Sequence, residues 1–367
     1  MFLLLGAGFG AWAVHLSGRG QRQAALAQRF ALDARDLENR MRIERLVPVH
    51  DLRPATAQML ERLARIRADM ARLGPEAQGP GNLALGRGYG ALGELDLALA
   101  ALDRAWAGGY ATPEVAYALC KVHCDYGFLL AEREPAEDPD RSLAHLRAAH
   151  LEAARSFFNR ANGAAWEPRE LGEAGLLVQE GAFAAALAKA RGVFKAAPWL
   201  YEAKVEEARA LGGLGLQRLD RGERRAALSL FREASLAARA AQAIGHSDEA
   251  CYLVDLEWRG RWLEQAGLPL AAALAAWDEA EHLADQLVAL RADSPRAVLA
   301  KVRVILQRAC ALAAAGRDPE PELLRAERTL AAGAGLPGLE APARLQRRWI
   351  GRIRAGFAGA RRAQPLN

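Results

Sequence analysis

The sequence predicts an all-α fold built of stacked helical hairpins, and three observations lead there. Alanine and leucine dominate while alternating β-branched runs are hard to find, which favours helix over strand. Apolar residues fall at three- and four-residue spacing in segment after segment, and each break carries glycine, proline or aspartate. One hairpin pattern, clearest over residues 82–105, returns in weaker copies downstream. At 51% hydrophobic and 25% charged residues, wholesale disorder is excluded. A chain of 367 residues has room for two or three domains or one extended array.

Residues 1–18 read as a membrane anchor helix, because the first sixteen are nearly all apolar. A span takes roughly 20 such residues, so the run is about a turn short. Ala11-Trp12-Ala13 imitates a cleavage site, but no basic segment comes before it. With no polar residue ahead of the run, it reads as part of a longer anchor helix. His15, Arg19, Arg22 and Arg29 follow it and, by the positive-inside rule, point the body toward the cytoplasm. Residues 19–76 read as a helical stalk of two segments, broken at His50-Asp51-Leu52-Arg53-Pro54, since the residue before proline avoids the helical region.

A first repeat block occupies 79–165, with an acidic loop over 132–140 that holds two prolines. A more degenerate block occupies 166–332, and a basic amphipathic tail occupies 341–367. After Glu340 there are seven arginines and no acid, so the tail carries the positive balance of a chain whose formal charge is +5. Its apolar stripe, Leu345, Trp349, Ile353 and Phe357, suits either a membrane or nucleic-acid contact or a helix capping the last repeat.

The first hairpin sets out the packing pattern. Leu85-Gly86 with Tyr89 lies on its first helix, and Ala98, Leu102 and Ala105 lie on its second. Small residues at Gly86, Ala98 and Ala105 let two helices touch, and Tyr89 fills the gap beside them. Gly181 leads to Ala186, Ala190 and Pro198. Leu211, Leu214 and Gly215 lead to Gly222, Ala227, Phe231 and Ala234. Gly267 leads to Ala273, Trp277 and Ala280. This spacing is that of the tetratricopeptide repeat, stretched beyond its usual period and missing its tryptophan and most of its prolines. No single pair here can bury its apolar face alone, so stacking is required.

Several motifs invite sharper readings. Gly6-x-Gly8-x-x-Ala11 and Gly88-x-Gly90-x-x-Gly93 match glycine-rich phosphate loops, but neither sits in a strand–turn–helix unit. Cys120, His123 and Cys124 share one helical turn, yet no second ligand pair stands near in sequence, and helix-packing cysteines are the better reading. Trp258, Trp262 and Trp277 read as core packing. The histidines are dispersed and no catalytic motif emerges, so no enzyme, cofactor or metal is expected.

A series of segments carries a family resemblance: residues 50–54, Leu73-Gly74-Pro75, Ala84-Leu85-Gly86-Arg87-Gly88-Tyr89, residues 109–119 from Gly109-Tyr110 to Leu119, and Ala197-Pro198-Trp199-Leu200-Tyr201-Glu202-Ala203. It resembles the region after the membrane span in bacterial serine/threonine protein kinases with C-terminal tetratricopeptide repeats. The resemblance implies a sensing or scaffolding role beside a kinase. The chain has no H-R-D, no D-F-G and no kinase lysine strand, so no catalytic residue carries over. It also implies repeats outside the cytoplasm, against the arginine rule, and that side is favoured here.

The expectation is therefore an all-α, tetratricopeptide-like solenoid with an N-terminal membrane helix in the bacterial inner membrane. It would bind proteins or peptides in its groove as part of a signalling assembly, with nucleic acid disfavoured and the oligomeric state open. Arg87 is the single groove candidate, because the neighbouring positions Leu83 and Gly90 are apolar or small.

Overall fold

The computed structural model describes residues 2–133, 141–164 and 167–363, so most of the acidic loop expected over 132–140 lies outside the described residues. Among these residues the chain is helical throughout. The helices are α1 (Phe2–Leu46), α2 (Arg53–Leu73), α3 (Gln78–Leu92), α4 (Leu95–Ala107), α5 (Pro113–Arg133), α6 (Arg141–Arg160), α7 (Arg169–Gln179) and α8 (Phe183–Ala196). They continue as α9 (Glu202–Asp220), α10 (Arg224–Gln242), α11 (Glu249–Ala266), α12 (Leu270–Leu290), α13 (Pro295–Ala314), α14 (Glu320–Ala332) and α15 (Glu340–Ala363).

The membrane anchor expected over 1–18 is not supported: among the described residues no helix is long and apolar enough to cross a membrane. The apolar run falls short of the roughly 20 residues a span needs. It continues without a break as the polar part of α1, out to Leu46.

The chain divides into two compact units. The first holds Met1–Glu44, Pro54–Glu134 and Asp140–Pro168; the second holds Arg45–Arg53 and Arg169–Asn367. In the first unit α3 pairs with α4 and α5 with α6. The helices of the expected stalk lie against that hairpin. Phe30, Ala34, Leu37 and Met41 of α1 are buried, and so are Met59, Leu63, Ile66 and Met70 of α2. Leu37 and Leu63 close over the bare backbone of Gly88, which is why that position has no room for a side chain.

The second unit is a stack of hairpins, α7–α8, α9–α10, α11–α12 and α13–α14, with α15 laid on α13 and α14. A single turn chemistry repeats through both units. In five hairpins, all but α5–α6, the turn after the first helix holds a glycine with positive φ: Gly93, Gly181, Gly222, Gly267 and Gly316. At four of them the next residue's amide bonds back to a carbonyl five residues earlier, as Glu94 does to Tyr89 (3.0 Å) and Glu223 to Arg218 (2.9 Å). Only glycine enters that left-handed region cheaply, so these five positions mark the repeat better than any aromatic does.

Helix contact is set by small residues facing large ones. A Cβ on Gly215 would lie 2.6 Å from the ring of Phe231, and one on Gly86 would strike Leu102. Gly212 lies directly under the indole of Trp258, carried by the next hairpin. Ala98, Ala105, Ala186, Ala227 and Phe231 have no exposed surface, and Leu85 and Tyr89 are buried. Pro198 is exposed and sits in the turn between α8 and α9. Trp258 stacks on Phe231 with centroids 5.9 Å apart and rings within 7° of parallel, so the tryptophan cluster belongs to the core.

Gly212→Ala is expected to lower stability by about 1–3 kcal/mol through overpacking against Trp258. Gly192→Ala, in α8 where a Cβ meets open space, is expected to gain up to about 1 kcal/mol in helix propensity. Denaturant unfolding of both variants checks this; equal effects would contradict it.

Candidate functional site

In the second unit the first helices of successive hairpins touch one another directly: α7 meets α9, α9 meets α11, and α11 meets α13. They form a continuous layer, with each second helix filling the space behind it. Small residues make the layer possible. Gly175 of α7 lies beside Glu206 of α9, Gly212 of α9 under Trp258 of α11, and Gly260 of α11 beside Gln307 of α13. Gln307 also donates to Glu264 at 2.6 Å. This layer is the candidate interaction face, since it offers a run of side chains on rigid elements instead of on loops.

The polar groups of this layer and its flanks are arranged as pairs. Glu173 accepts from Lys189 at 2.6 Å. Glu207, nearly buried, accepts from Arg191 at 2.8 Å and from Lys204 at 2.7 Å. Burial opposes its charge, but those two cations hold the carboxyl below the usual carboxylate range. Arg209 meets Glu206 at 2.5 Å. Asp255 has no exposed surface and is met by Ser235 at 2.5 Å and Arg259 at 3.2 Å. On the last hairpin Arg308 reaches Glu322 at 2.7 Å and Arg325 reaches it at 2.6 Å. A surface wired in this way has little net charge to offer, so it is suited to a partner of mixed composition and not to a polyanion.

The other residues singled out from the sequence fall as follows. Arg87 is turned into the first unit, where its fork holds Glu38 of α1 at 2.6 and 2.8 Å and its side chain is 11% exposed. Tyr89 accepts from Arg67 at 2.5 Å. Gly88 and Gly90 lie inside α3 and not in a loop, so they form no phosphate cradle. Cys120 and Cys124 are buried thiols outside any disulfide, and no group of three metal-ligating side chains occurs among the described residues. In α15 the buried positions are Ala343 and Ile350, with Trp349 and Ile353 packed half-buried on the same core. Of the expected stripe, Trp349 and Ile353 thus pack on the array and Leu345 and Phe357 are half-buried, while Arg344, Arg347 and Arg348 remain exposed. Arg354 ties the helix to Glu320 at 2.6 Å and to Glu327 at 3.4 Å.

Sequence reasoning missed a polar cluster between α5 and α6. His123 and His150 bring their Nδ1 atoms to 2.8 Å. Tyr126 stacks on His150 at 4.5 Å, and Phe157 stacks on His123 at 5.8 Å. Tyr126 also bonds Asp96 of α4, and Tyr117 and Lys121 of α5 converge on Glu167 at 2.7 and 3.0 Å. The histidines stand 27 residues apart, and nothing in their spacing announces the pair. One Nδ1 must donate and the other accept, so the accepting ring is neutral in this bond. Burial, and then the neighbouring His150, push His123 down to about 4; burial also lowers His150.

Because these histidines bind their protons less readily when folded, the unfolded chain takes up protons first as pH falls. Stability is full above the ordinary histidine value of about 6.5 and declines toward pH 4. The melting temperature is expected to drop by several degrees over that window, and His123→Phe is expected to flatten the decline. A variant with an unchanged slope would contradict the assignment.

No family model matches the chain, and no curated protein does. Eight chains of solved structure match. One, described as "Functional Characterization of Pseudomonas Aeruginosa pilF", is 13% identical and superposes on 75% of this chain and 99% of its own, with a TM-score of 0.31. A superposition that loose carries no functional argument, and the reading of the fold rests on the hairpins themselves.

Proposed function

We propose that the chain is a non-catalytic scaffold that binds protein or peptide partners along the layer of α7, α9, α11 and α13. The observation that supports this most is the direct contact of successive first helices through glycines. It builds one rigid, side-chain-bearing face from segments that alternate with helices turned away from it. The face is nearly charge-balanced, which favours partners that contribute both apolar and paired polar groups.

The family resemblance supports a finer reading: the chain acts in bacterial signalling, as the non-catalytic part of a receptor-type serine/threonine kinase at the inner membrane, with its repeats outside the cytoplasm. Its support is confined to the segments named above. The DNA immediately upstream tests it, since an in-frame kinase domain there is the expected result and unrelated coding sequence the contrary one.

A photo-crosslinking residue at Leu216, half-buried on α9, is expected to capture partners in the native host. The same probe at Leu236, 53% exposed on α10, is expected to capture few. Equal capture at both positions, or capture only at Leu236, would overturn the assignment of the face.

A further inference from the structure

Residues 45–53 are bonded into the second unit, although residues 50–54 read in sequence as a helix break and as part of the family resemblance. Residues 47–49 bend, and 50–52 follow without regular secondary structure. Ser247, fully buried between α10 and α11, donates its amide to the carbonyl of Arg45 at 2.8 Å and its hydroxyl to the carbonyl of Val47 at 2.9 Å. The amide of Leu52 donates to the carbonyl of Leu290, the last residue of α12, at 3.0 Å. Three of these bonds use the segment's main chain, which any sequence supplies.

Side chains mark the two ends. Arg45 pairs with Asp248 at 3.4 Å, and Asp248 also accepts from Tyr201 at 2.8 Å. Burial works against the Arg45 charge, but Asp248, with Tyr201 and Glu202 behind it, holds it firmly protonated. Seven residues on, Leu52 is 2% exposed. His50 Nδ1 lies 2.9 Å from the Pro48 carbonyl, which only accepts, so Nδ1 carries the hydrogen and braces the turn. Between the two anchors Leu46, Val47 and Val49 stand 39–42% exposed. Main-chain bonding with a side-chain anchor at each end suits a non-helical peptide segment, because any sequence supplies the main-chain groups and the anchors supply the selectivity.

We propose that Ser247, Asp248, Tyr201 and the end of α12 form an acceptor for non-helical peptide segments, closed in this chain by residues 45–53. The partner class is a protein segment carrying an arginine or lysine seven residues before a leucine, with a bent, non-helical stretch between them. Such a segment replaces the internal one bond for bond. This rests on the scaffold reading above but adds a second site, at the N-terminal ends of α9 and α11 and the C-terminal end of α12. Because the internal segment is tethered, its effective concentration is on the order of millimolar, and a competing peptide binds the unaltered chain weakly.

The test uses the full chain and a labelled peptide with the sequence of residues 44–54. Leu52→Ala removes the internal anchor and leaves the acceptor intact. It is expected to raise peptide affinity at least about tenfold over the unaltered chain, because the tethered competitor is weakened. A peptide carrying both Arg45→Glu and Leu52→Ala is expected not to bind. Equal affinity for the two chains, or binding of the altered peptide, overturns the proposal. If Leu52→Ala does not fold, hydrogen exchange of the unaltered chain decides. Amides of Leu52 and Ser247 exchanging faster than those inside α11 support an exchangeable segment, and exchange only at the global unfolding rate overturns it. Crosslinking at Leu216 that persists while the peptide fails would remove this site and leave the scaffold reading in place.

Discussion

Everything in this molecule depends on how closely two helices can approach. A helix pair with a methyl group at the crossing stands off from its partner, whereas one with bare backbone lets a large side chain fill the gap. Gly86 against Leu102 and Gly215 against Phe231 are the same device in two hairpins, one in each unit. Alanines with no exposed surface, Ala98 and Ala227, sit on the partner helix one turn before the large residue. Between hairpins, Gly212 beneath Trp258 extends the device to the next repeat. The direct contact of α7, α9, α11 and α13 follows from it, and so does the candidate binding face.

Charge is the second constraint, and it acts by cancellation. Carboxylates near the helix layer are met by cations from the same or the adjoining helix, as Glu207 is by Lys204 and Arg191. Buried charges left single would cost more than the packing returns, so pairing is a condition of the close approach. Arg87 shows the effect on sequence reasoning. A lone basic residue on a helix face invites assignment to a groove, but Glu38 lies 49 residues away and takes its guanidinium. The basic tail is a similar case: Trp349, Ile353 and Arg354 are committed to the array, and Arg344, Arg347 and Arg348 stay exposed.

Much of the fold was legible because it is written locally. Hairpin boundaries follow from three- and four-residue spacing, and the turn glycines are visible as the break after each first helix. What was not legible is long-range. The bonds from Ser247 to Arg45 and Val47 join residues about 200 apart, and nothing in the spacing of residues 45–54 announces them. The His123–His150 pair joins α5 to α6 with no periodic cue. The N-terminal apolar run differs again: composition marks it as an anchor, while among the described residues no helix is long and apolar enough to cross a membrane and α1 continues to Leu46.

The small-against-large contact is the central claim, and a double-mutant cycle at Gly215 and Phe231 tests it most directly. Gly215→Ala should destabilise the chain by clashing with the ring. Phe231→Leu should destabilise it by leaving a gap. Together they should cost less than their sum, by about 0.5–3 kcal/mol, because the smaller side chain makes room for the new methyl. Costs that add to within about 0.5 kcal/mol would show that the two residues do not share a contact, and would contradict the account of how this array is held together.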